Sequence, residues 1–163
     1  MHKSMRLILV LAIGSCGACS TTASRAVDSR AALHPAASAP ELLAVLFKEG
    51  QPNAGDRLTD AVTDPEFTKN ALAKDAEIIN RLTQLKFQVS GTTDNRECSA
   101  QECIALSLRR AQLVYDWLVA HGVQEKRLES PVGRGDQVPI TDNSTETARS
   151  ANRRAVIDLV LPN

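Results

Sequence analysis

The stretch ALSLRRAQLVYDWL, residues 105–118, sets the hardest condition on any fold this chain can adopt. At about 100° per residue, Leu106, Leu113, Val114, Trp117 and Leu118 share one helical face, and Arg110 falls in the middle of it. Arg109 lies towards the edge of that face. An unpaired buried charge is costly, so the guanidinium needs a partner, whether in the chain or in a ligand. The rest of the core must be mainly aliphatic, because aromatic residues make up 3% of the 163 residues.

Around this helix the chain alternates strands and helices. ELLAVLFKEG, from Glu41, is a short apolar run ended by Gly50 and is read as a first strand over residues 42–49. QPNAGDRLTDAV is polar and turn-rich. DPEFTKNALAKDAEIINRLTQL reads as a helix capped by Asp64 with Pro65 in its first turn, and Phe67, Leu72, Ile78, Ile79, Leu82 and Leu85 keep roughly helical spacing. KFQVSGT alternates, with Phe87, Val89 and Gly91 on one face, as a half-buried strand does. The helix carrying Arg110 follows, stopped by Gly122. A strand over Leu128 to Val132 contains Pro131, which places it at a sheet edge. NSTETARSANRR is a brief helix in which Asn143 and Glu146 have capping-box spacing, and AVIDLVL closes the chain as a strand alternating Ile157, Leu159 and Leu161 against Asp158. The order β-α-β-α-β-α-β predicts a single α/β sandwich over residues 41–163.

The segment before that domain has a different character. MHKSMR is a basic stretch, LILVLAIG is an apolar run too short to span a bilayer, and SCGACS supplies small residues around cysteines. This resembles a bacterial lipoprotein signal over residues 1–15, with Cys16 as the acylated residue and Cys19 as the alternative. Residues 16–40, rich in Ala, Ser and Pro, read as a flexible tether. Fully extended, some twenty residues reach roughly 65–70 Å. The residue after either cysteine is Gly17 or Ser20, not the aspartate associated with inner-membrane retention, which favours the outer membrane. Charges balance at 19 basic and 19 acidic, so nothing suggests nucleic acid as a partner. The three histidines are scattered, and no zinc site or serine–histidine triad can be assembled from them. No metal, cofactor or catalytic residue is therefore expected.

Thr93-Asp94 stands just beyond the carboxyl end of a strand, and LSLRRA opens the next helix. Ligands gather in the crevice beyond strand ends in α/β folds. Asp94 could face Arg110 there, the aspartate taking an ammonium group and the guanidinium a carboxylate, as a zwitterionic amino-acid terminus requires. A plain Asp94–Arg110 salt bridge is the other reading, and residue spacing leaves both open.

Residues 84–161 resemble the OmpA-like peptidoglycan-binding domain of peptidoglycan-associated lipoproteins and related outer-membrane and flagellar-stator proteins. The resemblance rests on FQVSGTTDN, LSLRRAQLVYDWLVAHGV, VGRGDQVPITDN and ARSANRRAVIDLV, in that order. It implies a noncatalytic pocket for meso-diaminopimelate of the peptidoglycan stem. Matched residue by residue, it implies Asp94, Arg110 and Arg153 as ligand contacts, with Thr93 and Arg154 as weaker candidates. The chain departs from the pattern where the family usually has a glycine soon after Thr-Asp and an asparagine four residues before the serine. Those places hold Glu97 and Cys103, and the loop is about one residue longer.

Cys98 and Cys103, spaced C-x4-C, could close a small disulfide loop in an oxidising compartment; two free thiols and half of a metal site are the rivals. The functional expectation is noncatalytic tethering of the outer membrane to peptidoglycan through an N-terminal lipid. A hydrolase would need a nucleophile–base or acid pair that the sequence does not display. The alternative is an envelope-assembly or secretion-machine lipoprotein whose main ligand is another protein.

Overall fold

The computed structural model describes residues 41–161; the predicted signal, lipidation cysteines and tether lie outside them. The elements in chain order are β1 (Val45–Leu46), α1 (Leu58–Ala61), α2 (Pro65–Arg81), β2 (Lys86–Gly91), α3 (Ala100–Ala120), a 3-10 turn (Glu125–Arg127), β3 (Leu128–Gly133), α4 (Glu146–Asn152) and β4 (Arg154–Val160). This is the α/β sandwich the sequence predicts. Its four-stranded sheet has the order β1-β4-β2-β3, with β2 and β3 parallel across α3 and the other two pairings antiparallel.

Local sequence explains most boundaries. Asp64 accepts a hydrogen bond from the Phe67 N–H at 2.9 Å, capping α2 with Pro65 at its first position. Glu102 accepts from the Ser99 N–H and hydroxyl at the start of α3, and Gly122 takes φ +92° just after its end. β3 is an edge strand, as Pro131 suggested, and the β2–β3 register shifts between Gln88 and Ser90, opposite Ser130 and Pro131.

The core gathers Phe47, Leu72, Ile79, Phe87, Val89, Val114, Leu118 and Ile157 between helices and sheet. Close approach of α3 to the sheet depends on two glycines. A Cβ on Gly91 would lie 1.9 Å from the Ser107 carbonyl oxygen, and one on Gly133 would lie 2.4 Å from that of Ile104. The sheet face that carries Phe87 and Val89 therefore meets the helix backbone to backbone at its carboxyl end.

Four expectations change. α1 forms inside the stretch read as turns, with Leu58 and Ala61 buried. The first strand is only two residues long, extended by a single bridge from Phe47 to Val62. α4 is capped by Thr145, whose hydroxyl accepts from the Ala148 N–H, while Asn143 sits outside the helix at φ +60°. Phe67, Leu159 and Leu161 are exposed, because helical or alternating phase fixes a face but not how far the covering layer extends along it.

Asp75 ties the first described residues to α2: its carboxylate accepts from the Leu43 N–H while the residue is almost fully buried. Burial pushes this carboxyl up to about 6, against the opposing pull of the Leu43 N–H. A raised carboxyl pKa contributes stability that is fully present below the unfolded value and is lost as pH rises through the folded one. Asp75→Asn should therefore stabilise the domain near pH 7.5, on the order of 2 kcal/mol, with the gain shrinking to nothing by about pH 4. Urea melts of the two proteins across that range measure the difference. Gly91→Ala should cost at least ~3 kcal/mol in the same assay, because a backbone carbonyl cannot swing aside as a side chain can.

Candidate functional site

The carboxyl end of β2 continues through Thr92, Thr93 and Asp94, all buried, and meets the first turns of α3 and the α4–β4 junction. Its backbone is held from two sides: the Thr92 N–H donates to the Arg154 carbonyl at 2.8 Å and the Thr93 N–H to the Gly135 carbonyl at 2.9 Å. Asn152 fixes the neighbouring loop, donating to the Thr141 carbonyl and the Asn143 side chain and accepting from the Ile140 N–H.

Arg110 and Asp94 both lie in this region, but they do not pair. The Arg110 guanidinium grips Glu97 in a bidentate fork, Nη1 to Oε1 and Nη2 to Oε2, each at 2.7 Å. Its remaining donors go to backbone carbonyls: Nε to Gln51 at 2.8 Å, Nη1 to Thr92 at 2.9 Å and Nη2 to Lys48 at 3.3 Å. All five N–H groups of a guanidinium are thereby used. The Phe47 ring lies 5.3 Å below the guanidinium carbon, within cation–π range. Side-chain exposure is 0% for both Arg110 and Glu97. The plain Asp94–Arg110 salt bridge is thus replaced by two separate pairs, because the loop carries Glu97 into the space in front of the guanidinium.

Asp94 has its own set of donors. One oxygen accepts from the N–H groups of Arg96 and Glu97, at 2.7 and 2.9 Å, and the other from Arg153 Nη1 at 2.7 Å. Burial alone would raise this carboxyl, but those N–H groups and Arg153 outweigh it and hold it below the usual carboxylate range. Arg153 also donates to Glu146, and the two carboxylates more than offset its burial and raise its pKa. Two buried atoms here, Thr93 Oγ1 and Arg153 Nε, have no hydrogen-bond partner among the described residues. Glu97 links the two pairs, since its Oε1 accepts from both Arg110 and the Asp94 N–H, at 2.7 and 3.1 Å.

Arg154 stands apart from this cluster. It donates to the Val138 carbonyl at 3.3 Å, and burial lowers its pKa. Arg109 is exposed, as its helical phase implied, and donates Nε to the Pro52 carbonyl at 3.1 Å. Cys98 and Cys103 form a disulfide with a Cα separation of 5.2 Å, joining the residue after Glu97 to the first turn of α3. Sequence reasoning noticed Glu97 only as a departure and Glu146 only as a capping residue. The apolar phase of Arg110 announced that a carboxylate was needed nearby, and Glu97 was the acidic residue closest to α3 in the loop before it.

Fold and site together define an α/β domain with a buried, two-signed charge cluster at its strand ends. Residues 60–153 match the OmpA family, and the chain belongs to it. The peptidoglycan-binding protein ArfA of Mycobacterium tuberculosis is 37% identical over 90 residues, covering 51% of this chain and 27% of that protein. The peptidoglycan-associated lipoprotein of Pasteurella multocida is 39% identical over 82 residues, covering 50% of this chain and 53% of the relative. The chain thus spans about half or less of the length of these relatives. The crystal structure of the peptidoglycan-associated lipoprotein from Burkholderia pseudomallei shares the fold, with a TM-score of 0.57 at 23% identity over 72% of this chain and 89% of that one.

Removing one member of a fully buried ion pair strands the other, at a typical cost of about 3–5 kcal/mol. Arg110→Met and Glu97→Gln should each destabilise the domain by roughly that range, and the double variant by less than the sum of the two. Chemical denaturation of the four proteins in a double-mutant cycle measures the coupling.

Proposed function

We propose that the domain binds peptidoglycan without catalysis, through meso-diaminopimelate of the stem peptide. In this reading Asp94 receives the ligand's ammonium group, Arg110 and Arg153 its carboxylate, and Thr93 flanks the contact, whereas Arg154, turned to the Val138 carbonyl, takes no part. The observation that carries it is the pairing of an ionised, buried Asp94 with two buried polar atoms, Thr93 Oγ1 and Arg153 Nε, that have no hydrogen-bond partner among the described residues. A buried donor without an acceptor costs stability, and a polar ligand restores the bond. Membership of the OmpA family and the names of the relatives support the same ligand class.

The N-terminal sequence supports a lipid anchor at Cys16, or at Cys19, in the inner leaflet of the outer membrane, with residues 16–40 as the leash. The chain then tethers that membrane to the cell wall, with weak single contacts made effective by many copies on one polymer.

Co-sedimentation with isolated sacculi tests the site. Asp94→Asn keeps an oxygen for the Arg96 and Glu97 N–H groups but removes the charge that an ammonium group needs, so binding should fall at least about tenfold while the fold is retained. Lys86→Ala, at the opposite end of β2, should bind like the wild type. Undiminished binding by Asp94→Asn overturns the assignment.

A further inference from the structure

We propose that Glu97 is an internal stand-in for the ligand's carboxylate, so that the Arg110 clamp is closed by the chain itself until an incoming carboxylate displaces it. The inference rests on the reading of Arg110 as a ligand contact and adds what must happen for that contact to form.

The geometry leaves little choice. A carboxylate approaching Arg110 needs two parallel N–H donors, and Glu97 already holds both at 2.7 Å. The other three N–H groups are spent on the carbonyls of Gln51, Thr92 and Lys48. Neither side chain of the pair is exposed, so a ligand cannot add a third layer from outside. Exchange is therefore the only route by which an external carboxylate reaches this guanidinium.

The surroundings allow exchange. Glu97 belongs to the loop between β2 and α3, and no regular element holds its backbone. Beside it lies a surface cavity of about 430 Å³, lined by Gly50, Glu97, Cys98 and Arg109 among others. A side chain leaving the clamp has that space to enter. The Cys98–Cys103 disulfide fixes the residue next to Glu97, so the movement is one of the side chain and not of the whole loop.

Leaving is costly, because Glu97 gives up the Gly50 and Asp94 N–H groups, at 2.9 and 3.1 Å, as well as Arg110. Only a ligand that restores a charge-assisted bidentate pair can compensate. Glu97 is thus a specificity determinant: it admits a free carboxylate and turns away the neutral amide of the same ligand. It also lowers the apparent affinity, because the open state is a minor fraction of the population.

The test uses the full-length chain, with meso-diaminopimelate and acetate as probes and thermal unfolding and isothermal titration as readouts. Glu97→Gly should bind meso-diaminopimelate about tenfold or more tightly than the wild type, with Glu97→Gln between them. Acetate should raise the melting temperature of Glu97→Gly and leave that of the wild type unchanged. If Glu97→Gly does not fold, the Glu97→Gln comparison with both probes decides. The proposal is overturned if neither carboxylate binds or stabilises the variants more than the wild type. Sacculus binding by the wild type is scored separately. Acetate rescue without sacculus binding by any of the three proteins sinks the peptidoglycan reading and leaves the self-closed clamp standing.

Discussion

The fork between Arg110 and Glu97 is the interaction on which the other parts of the domain converge. It joins α3 to the loop after β2, and the same guanidinium holds the carbonyls of Lys48 and Gln51 from the amino-terminal segment and of Thr92, the first residue of that loop. Three separate stretches of chain, α3 among them, are thus joined at one planar group. A buried ion pair contributes little net stability over a well-packed apolar substitute, since desolvation consumes most of the Coulombic gain. What it imposes is arrangement: with the guanidinium committed to the interior, each of its acceptors must reach one place.

The second pair extends this logic outward. Asp94 and Arg153 are buried, but Arg153 continues to Glu146, whose side chain is 59% exposed. Charge therefore runs from a dry interior at Arg110 to solvent at α4 through two sets of ion pairs, joined where the Asp94 N–H donates to Glu97. The Ser99–Glu102 cap and the disulfide brace the loop that carries the middle of this chain. Membership of the OmpA family accounts for the frame, and Glu97 and the cysteine pair close it between β2 and α3.

Periodicity made much of the fold legible. Arg110 was identifiable as buried because the helical repeat places it among Leu106, Val114 and Leu118, and the Asp64-Pro65 pair marks the start of α2 through a capping carboxylate and a φ preset for the first turn. Two-residue β1 was harder, because its position depends on pairing with β4, over a hundred residues later in the chain. Partner choice was least legible of all. Asp94 and Glu97 lie three residues apart, and which carboxylate meets Arg110 depends on how the loop turns, which no period encodes. Leu159 and Leu161 show the same limit from the apolar side: alternation marks them as belonging to one face, but the helix layer ends before it reaches them.

The shortness of β1 has a mechanical meaning. Between the segment that precedes Glu41 and the Lys48–Gln51 carbonyls on Arg110, the chain is secured by the Leu43–Asp75 bond, the two β1–β4 pairings and the Phe47 contacts with Val62 and Arg153. A pull applied at Glu41 would load these attachments, and the burial of Val45 and Phe47 in the core, before it reached the Lys48 and Gln51 carbonyls on Arg110.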